Sequence, residues 1–249
     1  MATDVVILDK EALTGILKDI ASQHLPHWLQ EFGNGKTFTR SASKQKMSYE
    51  AFLEWANEDT LAEWIDGEVF MSSPASLQHQ DMTDFLTSIL RLFVEHYYLG
   101  IVISAPFQMK MKQGRQPDIL YISKDHADRL KKTYLEGPAD LVVEIVSPES
   151  IERDRGAKFI EYEAGGVAEY WLIDPIRHQV ECYQLDEHGQ YAIAFSGSNG
   201  IYRSNVLPGF WLRIEWLWQS PLPNVARTAW QIIGLDGLRR VLKELEQLE

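Results

Sequence analysis

Cysteine is nearly absent, because the 249-residue chain contains a single one, Cys182. One thiol excludes a disulfide framework and a cysteine-based zinc site, and it suits a reducing cytoplasm. Cys182 falls in a segment with the pattern of a strand, so we predict a small buried residue there.

Long apolar runs are also missing. The first residues, Met1 to Leu8, have neither the basic start of a signal peptide nor the length of a membrane span. We therefore expect a cytoplasmic protein without a membrane partner. Internal repeats and low-complexity tracts are absent from the sequence, which argues against a solenoid or a disordered scaffold. With 45% hydrophobic and 24% charged residues, the composition favours one main globular domain.

Positive charge is scarce, since 24 Lys and Arg residues face 36 Asp and Glu residues and the formal net charge is -12. This opposes long-range attraction to a polyanion, because nucleic-acid binding draws affinity from neutralised phosphates. Basic residues do surround the segment that begins at Asp118, namely Lys110, Lys112, Arg115, Lys124, Arg129, Lys131 and Lys132. Such a run either meets phosphates or forms a solvated face.

Three parts of the chain can be distinguished. Residues 1–46 are predicted to form an N-terminal helical extension and linker, in which helical spacing stops at Pro26. Residues 47–218 form the main domain. Residues 219–249 form a C-terminal helix that begins near Val225, and we expect it to dock on the domain or to contact a second subunit.

Local signals predict two helices and a hairpin early in the domain. Ser48 is placed to cap a first helix, and a longer helix runs from Ser76 to about Tyr98, with Gly100 placed to end it. Asp66-Gly67 between two apolar runs predicts a tight β-hairpin.

Strand signals dominate the rest of the domain. Buried strands are predicted at 101–104, 117–122, 141–146 and 170–173, with a helix at 151–164 and antiparallel additions at 180–185 and 191–195. The main domain is thus predicted to contain both helices and strands. Four tryptophans in apolar contexts are assigned to its core: Trp64, Trp171, Trp211 and Trp216.

Three carboxylates, Glu63, Asp118 and Glu144, fall inside apolar strand patterns. A buried carboxylate is costly unless a cation pairs with it. If their strands are neighbours, Asp118 and Glu144 can converge on a hard cation such as Mg²⁺, with Glu63 as a third ligand or an orienting acid. The alternative is a set of structural ion pairs with Arg115, Lys110 or Lys158.

Three further residues can join such a site. Lys158 lies four residues from both Asp154 and Tyr162, so a shared helical face would let the lysine hold a water or brace a phosphate. Asp154 and Lys158 could instead form a surface ion pair worth under about 1 kcal/mol.

His79 is either a phosphate contact or proton carrier, or a satisfied core histidine. Tyr162 either lines the site or packs as an aromatic. Two other acids are assigned structural roles: Glu169 and Asp174.

The order of these motifs resembles one nuclease family. Pro117-Asp118, followed by Glu144 in Val-Val-Glu-Ile-Val-Ser-Pro, resembles the PD-(D/E)XK nuclease signature. Further motifs follow the order of its Uma-type (Uma-two) restriction endonuclease branch: Glu63-Trp-Ile-Asp-Gly-Glu, His79, Ser147-Pro148, Lys158 with Tyr162, and Gly166-Val-Ala-Glu-Tyr-Trp-Leu-Ile-Asp174-Pro175. The resemblance covers roughly residues 47 to 218.

The resemblance implies an α/β fold with a restriction-endonuclease-like core, in which a central mixed β-sheet is flanked by helices and followed by antiparallel C-terminal strands. It implies Mg²⁺-dependent hydrolysis of DNA, with Mn²⁺ able to substitute. By matching position, Asp118 and Glu144 would bind the metal, Glu63 would be the upstream acid and Lys158 the catalytic lysine, with auxiliary residues His79 and Tyr162.

One departure from the signature is Val146, which stands two residues after Glu144 where the signature has its lysine. Lys158 must then replace it. Two alternatives stay open, a catalytically degenerate binding or scaffold protein and a metal-dependent hydrolase of another phosphate ester. A homodimer is expected, because cutting two DNA strands needs two sites.

Overall fold

The computed structural model describes residues 46–56, 60–71, 75–147, 150–151 and 153–246. The predicted N-terminal extension, apart from Lys46, and residues 247–249 of the predicted C-terminal segment lie outside these residues. The division of the chain at residues 46 and 218 therefore stays a prediction.

The described part of the chain contains both α-helices and runs of consecutive strands. In chain order they are α1 (Tyr49–Trp55), β1 (Ala62–Ile65), β2 (Glu68–Met71), α2 (Leu77–His96), β3 (Gly100–Ser104), β4 (Gln108–Lys110), β5 (Gly114–Arg115), β6 (Ile119–Ser123), β7 (Tyr134–Glu136), β8 (Leu141–Ile145), α3 (Phe159–Gly165), β9 (Glu169–Asp174), β10 (Gln179–Leu185), β11 (Tyr191–Gly197), β12 (Ile201–Arg203), β13 (Trp211–Arg213) and α4 (Val225–Glu246). A π-helical turn at Arg153–Lys158 precedes α3. None of the described helices is long and apolar enough to cross a membrane.

A six-stranded mixed sheet forms the centre, in the order β11-β10-β9-β8-β6-β3. β8 and β9 are parallel, and the other neighbours in this sheet are antiparallel. This arrangement confirms the predicted α/β fold with a mixed central sheet and antiparallel C-terminal strands.

A second sheet, in the order β2-β1-β5-β4-β7, was not predicted. Its strands β4, β5 and β7 contain only two or three residues each. Runs this short show no alternation of polar and apolar residues, so the sequence pattern could not reveal them.

Apolar clusters cover both faces of the central sheet, because successive side chains of a strand point to opposite faces. Val143 and Cys182 belong to the cluster that includes α2, and the predicted burial of Cys182 is confirmed. Val142 and Tyr170 belong to the cluster on the other face, which includes Tyr162 of α3. Trp171 and Trp216 are buried in the core. Trp64 and Trp211 are partly buried and pack against apolar clusters.

Caps and turns follow the sequence signals at three places. The side chains of Ser48 and Ser76 accept hydrogen bonds from the first turns of α1 and α2. Asp66 and Gly67 have φ values of 49° and 84° and form the predicted hairpin turn between β1 and β2.

Gly100 does not end a helix, contrary to prediction. α2 stops at His96, and Gly100 is the first residue of β3, with a φ of 152°. A Cβ at this position would overlap the carbonyl oxygen of Ile122 on β6. The glycine is therefore required by the close approach of two strands.

Two predicted helices are interrupted. The helix expected at 151–164 is a π turn followed by α3, which ends at Gly166 in the left-handed conformation. The predicted last helix is broken at Gly234, whose φ of 82° is incompatible with a continuous helix.

Candidate active site

Asp118 and Glu144 lie opposite each other at one end of the central sheet. Ile119 of β6 pairs with Val143 of β8, and continuing this antiparallel register by one residue places Asp118 opposite Glu144. Asp118 stands just before β6 rather than inside the predicted strand. Its Oδ2 atom accepts a hydrogen bond of 2.7 Å from the backbone of Ile145, which fixes the carboxylate beside β8.

Lys158 brings its ammonium to Glu144 from the π turn. Its Nζ lies 2.8 Å from Glu144 Oε1, 3.2 Å from Asp154 Oδ1 and 3.4 Å from Glu63 Oε1. Lys158 is 3% exposed and Asp154 is 1% exposed. The alternative of a surface ion pair between them is therefore wrong, because both charges are buried.

Glu63 comes from the second sheet and is held by Arg115. It accepts hydrogen bonds from Arg115 Nη1 at 3.0 Å and from the backbone of Gln116 at 3.3 Å. Arg115 also donates two hydrogen bonds, of 2.7 and 2.8 Å, to Glu161 of α3. This buried arginine thus ties β1, β5 and α3 together around the site.

The three cations considered as structural partners of Asp118 and Glu144 behave differently. Lys158 pairs with Glu144, whereas Arg115 pairs with Glu63 and Glu161. Lys110 lies 4.4 Å from the ring centroids of Tyr49 and Trp64, in cation–π contact.

His79 and Tyr162 both contact the central acids. His79 lies in the first turn of α2, and its Nε2 is 3.2 Å from Asp118 Oδ2. Tyr162 donates a hydrogen bond of 2.6 Å to Glu144 Oε1. His79 therefore faces the acids rather than the apolar core, and Tyr162 combines aromatic packing with a polar contact to the site.

Opposing effects set the charge of Glu63 and Lys158. Burial alone would raise the pKa of Glu63, but Lys158, Arg115 and Arg153 outweigh burial and lower it to about 2. Burial opposes the charged form of Lys158, but three neighbouring carboxylates keep its pKa above the ordinary lysine value. Both groups are therefore charged at neutral pH.

The pKa values of Glu144 and His79 are both raised, which favours their protonated forms. Burial raises the pKa of Glu144, and the carboxylates of Asp154 and Asp118 add to this effect against the opposing ammonium of Lys158. The hydrogen bond to Asp118 raises the pKa of His79. The cluster thus has an excess of acid that a bound cation would relieve.

These residues line one cleft of about 630 Å³. Its wall contains the four predicted catalytic residues and His79, and it also contains Gln116 and Arg153. Exposed apolar side chains stand at its rim, namely Leu61, Met71 and Ile176. The cleft is open to solvent beside a buried set of charges, an arrangement that is typical of active sites.

A family model described as "Uma2: Putative restriction endonuclease" matches residues 49–215, which is more than half of the chain. The chain belongs to the Uma2 family. A relative from Synechocystis sp., with the name "Uncharacterized protein slr1290", is 26% identical over 160 residues, which are 61% of this chain and 82% of the relative.

The fold of this Uma2 chain is similar to that of a solved structure from Anabaena variabilis, described as "a putative nuclease belonging to DUF820". The TM-score is 0.60 at 16% identity, and the match covers 69% of this chain and 97% of the other. The similarity extends over almost the whole of that protein and establishes the shared fold.

The donors of the Uma2 site fit a hard divalent cation. The described residues contact these two carboxylates at Asp118 Oδ2 and Glu144 Oε1. Asp118 Oδ1 and Glu144 Oε2 accept no hydrogen bond from the described residues. Among the described residues, no group of three His, Cys, Asp or Glu side chains is arranged to hold a metal. Mg²⁺ is commonly held by one or two carboxylates with water and substrate phosphate, so two carboxylates suffice.

Two site features escaped prediction. Arg153 lines the cleft, and the bridge from Arg115 to Glu161 supports Glu63. The charged run Glu152 to Arg155 could have drawn attention to Arg153, but no sequence pattern pairs Arg115 with a glutamate 46 residues later. Glu169 and Asp174 were assigned structural roles. As expected, both accept hydrogen bonds from backbone or core groups.

Proposed function

We propose that this protein is a metal-dependent endonuclease that hydrolyses DNA phosphodiester bonds, with Mg²⁺ as cofactor and Mn²⁺ as a substitute. The observation that carries the proposal is the position of Lys158. The π turn returns its ammonium to Glu144, beside Asp118, although the signature position is occupied by Val146. Membership of the Uma2 family supports the same class of reaction.

Each site residue has a distinct task in this proposal. Asp118 and Glu144 would hold the cation, which when bound polarises the phosphodiester and makes water more acidic. Lys158 stays protonated between its three carboxylates, so it orients these acids rather than removing a proton. The contact with Asp118 favours protonated His79, which can donate a proton to the leaving oxygen.

One observation favours the alternative of a degenerate, binding-only protein. Several cations of the basic run are engaged within the protein, since Arg115 is buried, Lys110 lies on aromatic rings and Lys131 pairs with Glu136. Together with the net charge of -12, this leaves a limited surface for DNA.

Cleavage assays distinguish the two functions. Supercoiled plasmid and single-stranded DNA are incubated with Mg²⁺ or Mn²⁺ and wild-type protein, Asp118→Ala or Lys158→Ala. Exposed residues provide matched controls, Asp81→Ala and Lys132→Ala. We expect cleavage by the wild type and both controls and none by the site variants. Equal traces from all five proteins would refute the nuclease proposal.

The proposed homodimer has its own test. Two copies would supply the two sites needed for both strands. Sedimentation velocity of the full chain should give the mass of a dimer, and linearisation of plasmid should then compete with nicking. A monomer at assay concentrations would refute this part of the proposal.

A further inference from the structure

Arg153 has an unusual environment within the cleft. It is the first residue of the π turn, and its side chain is 40% exposed. Among the described residues, its buried Nε atom has no hydrogen-bond partner, and the carboxylate oxygen in ion-pair range is Glu63 Oε2 at 3.9 Å. A buried guanidinium nitrogen without a partner loses its hydration without compensation, unless a ligand supplies the acceptor.

The other cations around the cleft are already committed. Lys158 contacts three carboxylates, and Arg115 forms hydrogen bonds to two. His79 contacts Asp118. The described residues that line the cleft include three basic side chains, His79, Arg153 and Lys158. Of these, Arg153 is the one that donates no hydrogen bond to a described residue. An incoming anion would meet these unused donors.

The π turn explains why Arg153 and Lys158 approach the same acid. They are five residues apart, and in an α-helix such residues point about 140° away from each other. In a π turn, the wider i to i+5 hydrogen-bond pattern brings them closer to the same face. Both cations therefore reach Glu63, Lys158 at 3.4 Å and Arg153 at 3.9 Å, but Arg153 stays on the solvent side.

We propose that Arg153 binds a phosphate group of the substrate strand, and that Lys158 is a positioning residue that holds Glu63, Glu144 and Asp154 in place. The guanidinium suits this task, because its forked donors match two phosphate oxygens. The proposal rests on the proposed nuclease function and assigns the phosphate contact to a residue outside the signature.

Binding without turnover tests the assignment. Fluorescence anisotropy of a labelled DNA duplex is measured in EDTA over a series of salt concentrations. Arg153→Ala should bind about tenfold to a hundredfold more weakly, and the slope of log affinity against log salt should fall by about 0.9. Arg153→Lys should keep the slope but lose part of the affinity. Arg91→Ala is the matched control, because it removes one exposed positive charge of α2, outside the cleft.

Lys158→Met separates the two roles. Its fold is checked by circular dichroism, and it should bind DNA with the wild-type slope in EDTA yet fail to cleave with Mg²⁺. The inference is overturned if Arg153→Ala behaves like Arg91→Ala, or if Lys158→Met lowers the salt slope instead. If wild-type protein neither binds nor cleaves DNA, the nuclease function itself is refuted. If wild-type protein cleaves DNA and the DNA binding of Arg153→Ala is unaffected, this inference alone is refuted.

Discussion

Replacing Lys158 by methionine tests whether the charges beneath the cleft form one buried unit. The substitution keeps the unbranched side chain and removes the ammonium that lies within 3.4 Å of Glu63, Asp154 and Glu144. All four residues are less than 5% exposed, so water cannot replace the lost contacts without a change in structure. We expect a large loss of stability.

The contacts of each acid set the size of this loss. Breaking a buried ion pair by removing one partner costs about 3–5 kcal/mol. Glu63 retains Arg115 at 3.0 Å, and Glu144 can take up a proton because burial already raises its pKa. Among the described residues, Asp154 forms its ion pair with Lys158 alone. We therefore expect about 3 kcal/mol, at the lower end of that range, and a fall in melting temperature of about 6–12 °C for a chain of this size.

Urea unfolding followed by tryptophan fluorescence measures this loss. Lys132→Met is the control, because Lys132 is exposed and should lose less than about 0.5 kcal/mol. Adding Glu144→Gln to Lys158→Met should recover part of the stability, since the double variant no longer buries that acid. A loss below about 1 kcal/mol, the range of exposed ion pairs, would show that the charges are solvated and would refute this description of the site.

Three further results are expected. The pKa of Glu63 is near 2 in the folded state and 4.5 is its ordinary value, so its contribution to stability is present above pH 4.5 and lost as pH falls towards 2. Acid unfolding curves of Glu63→Gln should be flatter than wild type over this interval, and equal slopes would contradict the shift. Mn²⁺ should raise the melting temperature of the wild type but not of Asp118→Asn, and an equal rise would place the metal elsewhere. Gly100→Ala should be strongly destabilised in urea, because its methyl group would overlap the carbonyl of Ile122, and near-wild-type stability would contradict that contact.

Local sequence signals predicted the parts of the fold that local physics decides. Asp66-Gly67 can adopt the positive φ values of a tight turn, and Ser48 and Ser76 can each satisfy a free backbone N–H at a helix start. The apolar run at β8 predicted a strand buried on both faces, and all five of its residues are buried. Each of these signals is contained within a few neighbouring residues.

Features that depend on distant partners were missed or misjudged. Arg115 was predicted to belong to a basic run or to pair with Asp118 or Glu144, but it pairs with Glu63 and Glu161, which lie 52 and 46 residues away in sequence. The burial of Asp154 likewise depends on how the π turn packs, which helical periodicity does not encode. Long-range packing decides which charges are desolvated, and a charge pattern alone does not reveal it.

Val146 shows why the lysine of this site comes from a helix rather than from the strand. Its side chain is buried in the apolar cluster with Tyr162, and its backbone N–H donates to Ile173, so the position serves the core. A lysine there could extend along β8 towards Glu144, but Glu63 belongs to the other sheet. Lys158, in the π turn, lies within 3.4 Å of both acids. Its loss should therefore weaken folding and cleavage together, whereas loss of Arg153 should weaken DNA binding alone.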